Sequence, residues 1–190
     1  MRRAEARSRA RALPALIAVL TAAIVIAGCG GSSPSVTPGR YVRSICSALG
    51  VWKVQVQNAG KKLQSSGAST ATPPTAKADY VQFVSALRAA TQGAATALRQ
   101  AGSPSVNGGK QIADSLSGAF THGANGLVKA ESQARAIPTA NATVFEAAAS
   151  AVTTQIRNSL QGIASITPRD SPPLRTAASR EPTCQALTAS

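Results

Sequence analysis

Residues 37–67 read TPGRYVRSICSALGVWKVQVQNAGKKLQSSG. Thr37 suits a helix N-cap and Pro38 the first helical position, where the N–H that proline lacks would have no intrahelical partner. Val42, Ile45, Leu49, Trp52, Val56, Ala59 and Leu63 then recur in alternating steps of three and four, an unbroken heptad seam. Lys61 and Lys62 fall near the C-terminal end, where the helix dipole favours cations, and Ser65-Ser66-Gly67 stops the pattern. The stretch predicts a long amphipathic helix with one apolar stripe.

The same periodicity recurs three times further on. A second helix is expected from Thr75 to Ala101, with Tyr80, Val84, Leu87, Thr91, Ala94, Leu98 and Ala101 inward and Phe83 widening the stripe. A third, weaker helix is expected over Asn107–Ala136, with a seam of Ile112, Leu116, Ala119, Gly123, Leu127, Ala130, Ala134 and Ile137, flanked by Phe120. Its glycines, at 108, 109, 118, 123 and 126, each cost about 1 kcal/mol against alanine. They read as a loosely packed helix, with close backbone approach or a functional bend as alternatives. For the fourth, Thr143-Val144-Phe145-Glu146 spells a capping box. The helix continues to Ile166 with Phe145, Ala149, Val152, Ile156, Leu160 and Ile163 inward. Four such segments and no alternating apolar pattern predict an all-α fold, an antiparallel four-helix bundle over 38–166. The core is thin, because many seam positions are alanine. A proline-rich tail, 167–190, follows.

The chain has 190 residues, 20 of them Lys or Arg and 7 Asp or Glu, for a net charge of +13. Such a balance favours anionic surroundings: phospholipid headgroups, wall polymers or nucleic acid. Aromatic residues make up only 3%, too few for the stacking platforms that single-stranded nucleic acid requires. His122 is the only histidine and has no cysteine or carboxylate cluster to complete a metal site, so no metal and no cofactor are expected. There is no Gly-x-Ser-x-Gly elbow and no phosphate-binding glycine loop. The carboxylates Asp79 and Glu146 sit near helix starts, where the dipole accounts for them. Trp52 lies on the seam and reads as core rather than as a ligand platform. No enzyme is expected.

The first 28 residues are of another kind. Met1–Arg11 is basic, and Leu13–Ala27 is an apolar run of 15 residues. As a helix it would be about 22 Å long, short of the roughly 30 Å hydrocarbon core, so it reads as a signal peptide rather than a permanent span. Arg2-Arg3 lacks the context of a twin-arginine signal, which leaves the general secretory route. The run ends in Ile26-Ala27-Gly28-Cys29. This is the pattern of a lipobox, and the chain resembles bacterial lipoprotein precursors. In composition it is also similar to the small helical lipoproteins of actinobacteria. The resemblance covers the leader only. It implies cleavage after Gly28 and a diacylglyceryl thioether, the palmitate-type anchor, on Cys29. Two acyl chains hold a protein to a membrane where one gives marginal binding. The expected location is the extracytoplasmic face of the cell membrane.

Without its leader the chain keeps 15 basic and 6 acidic residues. Residues 29–37 read as a lipidated N-terminus and tether. The eight residues after Cys29 reach roughly 15 Å on average and about 28 Å at most. With Cys29 assigned to lipid, Cys46 and Cys184 remain. A bundle of this topology brings the start of the first helix and the end of the fourth to one end, so a Cys46–Cys184 disulfide tying back the tail is sterically reasonable. Two free thiols are the alternative; a redox pair lacks its Cys-x-x-Cys motif. Arg40 and Arg43 lie in the first turns of the first helix, against the dipole by about 0.3–1 kcal/mol each. They are the ordered charges nearest the anchor and are candidates for contact with anionic headgroups.

Two functional readings follow. One is a non-enzymatic interaction or structural module with an unknown protein partner, with anionic lipid or wall polymer as further candidates, but not nucleic acid. The other is a binding protein for a small apolar ligand held between splayed helices. A filled core with an exposed apolar stripe would favour the first. An apolar cavity of roughly 300 Å³ or more would favour the second.

Overall fold

The computed structural model describes residues 35–67, 71–164 and 171–188, all within one compact unit, Ser33–Ser190. The lipobox residues Ile26, Ala27, Gly28 and Cys29 lie outside the described residues, as does most of the expected tether. The architecture is predominantly helical. Four long helices, α1 (Pro38–Ser65), α2 (Pro73–Gln100), α3 (Gly109–Arg135) and α4 (Ala142–Ala164), are followed by two short ones, α5 (Pro172–Arg180) and α6 (Pro182–Thr188). None of the described helices is long and apolar enough to cross a membrane.

The helix boundaries follow from local chemistry. Thr37 Oγ1 accepts the Arg40 N–H at 3.4 Å, and Pro38 takes the first helical position. Gly67 ends α1 in the left-handed region at φ 68°. α2 starts two residues before the expected Thr75, because Pro73 and Pro74 occupy its first positions and their fixed φ is already helical. α4 corrects the expected capping box. Asn141, not Thr143, caps it, its Oδ1 accepting the Val144 N–H at 3.0 Å. The expected proline-rich tail also differs from the structure. Pro172-Pro173 and Pro182 each start a helix rather than break one, for the same reason.

Contacts between chain neighbours step in opposite directions along the two helices. Residue pairs 88/131 and 99/121 join α2 to α3, and pairs 123/163 and 126/159 join α3 to α4. α1 packs on α2 and, on its other flank, on α5 and α6. Beside the start of α1 a two-residue parallel bridge forms, Ser35–Val36 (β1) against Ser103–Pro104 (β2). Ser105 N–H adds a bond to Val36 carbonyl oxygen at 2.7 Å.

The core has two parts. One gathers Val84, Leu87, Leu127, Ala130, Ala134, Ile137 and Val152, none more than 2% exposed, with Ile156 beside them. The other gathers Tyr41, Ile45, Ala94, Ala95, Leu98 and Phe120. α3 is not the loosely packed helix its glycines suggest. A Cβ on Gly126 would stand 2.5 Å from Ser159 Oγ and 2.7 Å from Ser159 Cβ. One on Gly123 would stand 2.9 Å from Ile163 Cδ1. These two glycines let α3 and α4 approach closely, whereas Gly118 faces open space.

Candidate functional site

Among the half-buried seam residues, six come together: Leu49 and Trp52 on α1, Ile112 and Leu116 on α3, Leu160 and Ile163 on α4. They line a single cavity of about 790 Å³. Its α1 wall also includes Tyr41 and Ile45, its floor includes Phe120, and Leu187 of α6 contributes from the strap. α1 and α4 are not extensively packed on one another among the described residues, and the cavity occupies the space between them. Lys53 and Ser115 are the polar residues of a lining otherwise made of aliphatic and aromatic side chains.

The aromatic end is held in place by hydrogen bonds and ring contacts. Trp52 Nε1–H donates to Thr91 Oγ1 at 3.3 Å, and Thr91 Oγ1–H donates to the Leu87 carbonyl oxygen at 2.8 Å. Thr91 is fully buried, so this relay satisfies both its hydroxyl and the indole. The Trp52 ring meets Phe120 edge to face, with centroids 5.3 Å apart. Trp52 is therefore both a core member and a cavity wall. Tyr41 is 3% exposed, and its buried hydroxyl has no hydrogen-bond partner. Burial pushes its pKa up to about 12, because the phenolate would lose its hydration there. The hydroxyl stays protonated across the neutral range.

One side of the cavity is stapled. Cys46 and Cys184 form a disulfide with Cα atoms 5.0 Å apart, joining α1 to α6. One turn on, Lys53 Nζ donates to the Leu187 carbonyl oxygen at 3.2 Å. Arg43 Nε donates to Glu181 Oε2 at 3.0 Å and, with Thr183 Oγ1 bonding the same carboxylate, holds its pKa below the usual range. Arg43 thus has an intramolecular anion beside it, although its side chain stays 74% exposed. Arg40 is exposed in the first turn of α1.

His122 is exposed and lies in a shallower, polar hollow between α3 and α4 with Asp114, Asn158 and Ser159. Ser159 Oγ is engaged with Gln155, donating to its carbonyl oxygen at 2.7 Å and accepting from its side-chain amide at 3.2 Å. Asp114 pairs with Lys110 at 2.5 Å. These bonds leave no nucleophile–base contact in that hollow. Among the described residues no three His, Cys, Asp or Glu side chains converge as a metal site.

Tyr41 and Leu187 were not on the expected seams. Tyr41 stands four residues before Ile45 and seven before Ala48, a second stripe beside the heptad one. Leu187 had no sequence signal beyond its place three residues after Cys184. Fold and site together define a predominantly helical protein with a large apolar cavity. No family model, curated protein or solved structure matches the chain.

Proposed function

We propose that this chain is a lipid-anchored protein of the extracytoplasmic membrane face. Its four long helices form an antiparallel bundle left open between α1 and α4, and the opening holds a small apolar ligand without acting on it chemically. The observation that carries this reading is the cavity of about 790 Å³, within the range of roughly 300–1,000 Å³ usual for small-molecule sites. The rival reading, a docking module for a protein, calls for a continuous exposed apolar stripe. The exposed large hydrophobic residues, Val51, Val54, Val128 and Val144, are instead spread over three helices. The anchor rests on the order of basic segment, apolar run and lipobox before Cys29.

Titration with the environment-sensitive dye N-phenyl-1-naphthylamine tests the cavity. Saturable binding is expected, weakened at least about tenfold, or about 1.4 kcal/mol, by a cavity-filling pair, Leu49→Phe with Leu116→Phe. Binding unaffected by that pair would refute the reading. Mass spectrometry of the native N-terminus tests the anchor. An unmodified first residue, or a leader still attached, would remove it.

A further inference from the structure

The position of the cavity along the helices narrows what it holds. Its lining begins at Tyr41, in the first turn of α1, and at Ile112, in the first turn of α3. It includes Ile163 and Ala164 at the very end of α4 and reaches no further along α1 than Lys53. The cavity therefore occupies the end of the domain at which α1 begins. Ser35 and Val36 are pinned at that end by β2, so the connection to Cys29 is shorter than the tether expected from sequence. Five residues separate Cys29 from Ser35, a span of at most about 22 Å. The described helix ends there carry Arg40, Arg43, Arg99, Lys110, Arg175 and Arg180 against Asp114 and Glu181. An apolar hollow ringed by net positive charge, on a leash this short, matches an anionic amphiphile lying in a bilayer.

Resting on the apolar-ligand reading above, we infer that the cavity takes an acyl chain of an anionic phospholipid from the adjoining bilayer, entering at the end where α1 begins. The chain would lie against Leu49, Leu116 and Ile163 with its far end toward Trp52 and Phe120. The basic helix ends would remain level with the headgroup phosphate. No bond is made or broken.

Trp52 is the protein's only tryptophan and lines the cavity, so its emission reports occupancy. The chain from residue 29, carrying Cys29→Ser so that it bears no lipid of its own, is mixed with phosphatidylglycerol vesicles whose acyl chains are brominated near their ends. A parallel sample receives free brominated stearic acid. Both are expected to quench Trp52. The Leu49→Phe, Leu116→Phe pair is expected to weaken quenching by either at least about tenfold while keeping the circular dichroism of the parent. Quenching by the free acid alone would overturn the bilayer source and leave the apolar-ligand reading standing. Quenching by neither would overturn both. Vesicle quenching that survives the cavity-filling pair would mean surface adsorption and would overturn the inference. So would vesicle quenching that disappears in the natively lipidated protein, since the cavity would then belong to the anchor's own chains.

Discussion

The two halves of the core share α2 and α3 and differ in the third helix, α4 around Leu127 and α1 around Phe120. In the half around Leu127, Gly126 on α3 meets Ser159 on α4, and Val84, Leu87, Val152 and Ile156 fill the space around Ala130 and Ala134. The helices close, and the larger side chains between them are excluded from water. In the half around Phe120, the bulky Tyr41, Trp52, Ile112 and Leu116 stand among small residues, Ala48, Ala94, Ala95, Ala101 and Ala113. Trp52 and Phe120 meet edge to face there, and α1 leans on α5 and α6 instead of α4. Interiors pack to crystal-like density where shapes interlock, so large side chains with no neighbour opposite leave a hollow. α4 is thus closed against α3 and stands apart from α1, and the cavity lies on the side where it lacks a partner.

The heaviest blow to this contrast is removal of the staple. Cys46→Ser with Cys184→Ser frees a loop spanning 138 residues. On the chain-entropy model this costs about 5 kcal/mol, a fall in melting temperature on the order of 10–20 °C. Thermal unfolding with and without reductant measures it. The open half should suffer first, seen as lost protection from hydrogen exchange in α5 and α6 before α3.

Next is a pair of leucine truncations. Leu127 is fully buried in the closed half, and Leu127→Ala should cost about 3–5 kcal/mol in chemical denaturation. Leu49→Ala, at the cavity wall, should cost only about 1 kcal/mol, because one side of that leucine already lacks neighbours. Equal costs would mean that the hollow is filled by protein.

A glycine pair sharpens the point. Gly126→Ala drives a methyl into Ser159 and should destabilise by about 1–3 kcal/mol despite alanine's better helix propensity. Gly118→Ala meets nothing within 4 Å and should stabilise by about 0.5–1 kcal/mol.

The smallest effect concerns pH. Glu131 accepts from Arg135 at 2.5 Å and from Arg88 at 2.6 Å, and these partners, Arg135 foremost, hold its carboxyl below the usual carboxylate range. A depressed value means stability that is full above the ordinary carboxylate pKa and lost as pH falls through the folded-state value. Both arginines are partly exposed, which limits the contribution to about 0.5–1 kcal/mol. Acid unfolding of Glu131→Gln should show a correspondingly flatter decline.

How far these features were legible depends on how local their causes are. The Thr37-Pro38 start of α1 and the Val84-Leu87-Thr91 stripe of α2 depend on neighbours a turn away, and both are found where periodicity puts them. The Cys46–Cys184 bond followed from counting cysteines and from helix order. Thr143 lost the cap to Asn141 because two adequate capping side chains stood two residues apart and local spelling does not rank them. The cavity stayed one of two open alternatives for a deeper reason. Leu49, Trp52, Ile112 and Leu116 carry the same heptad spacing whether the opposite helix touches them or stands away. The placement of α5 and α6, legible beforehand only as a proline-rich tail, decides between those outcomes.

The staple also sets an order of events. Its second sulfur lies 138 residues beyond the first, so the bond waits until that whole stretch has been made. Until residue 184 has been made, the first helix carries an unpaired thiol and an uncovered flank. A premature stop anywhere before residue 184 would leave it so permanently, making a late codon a condition for maturation of the first helix.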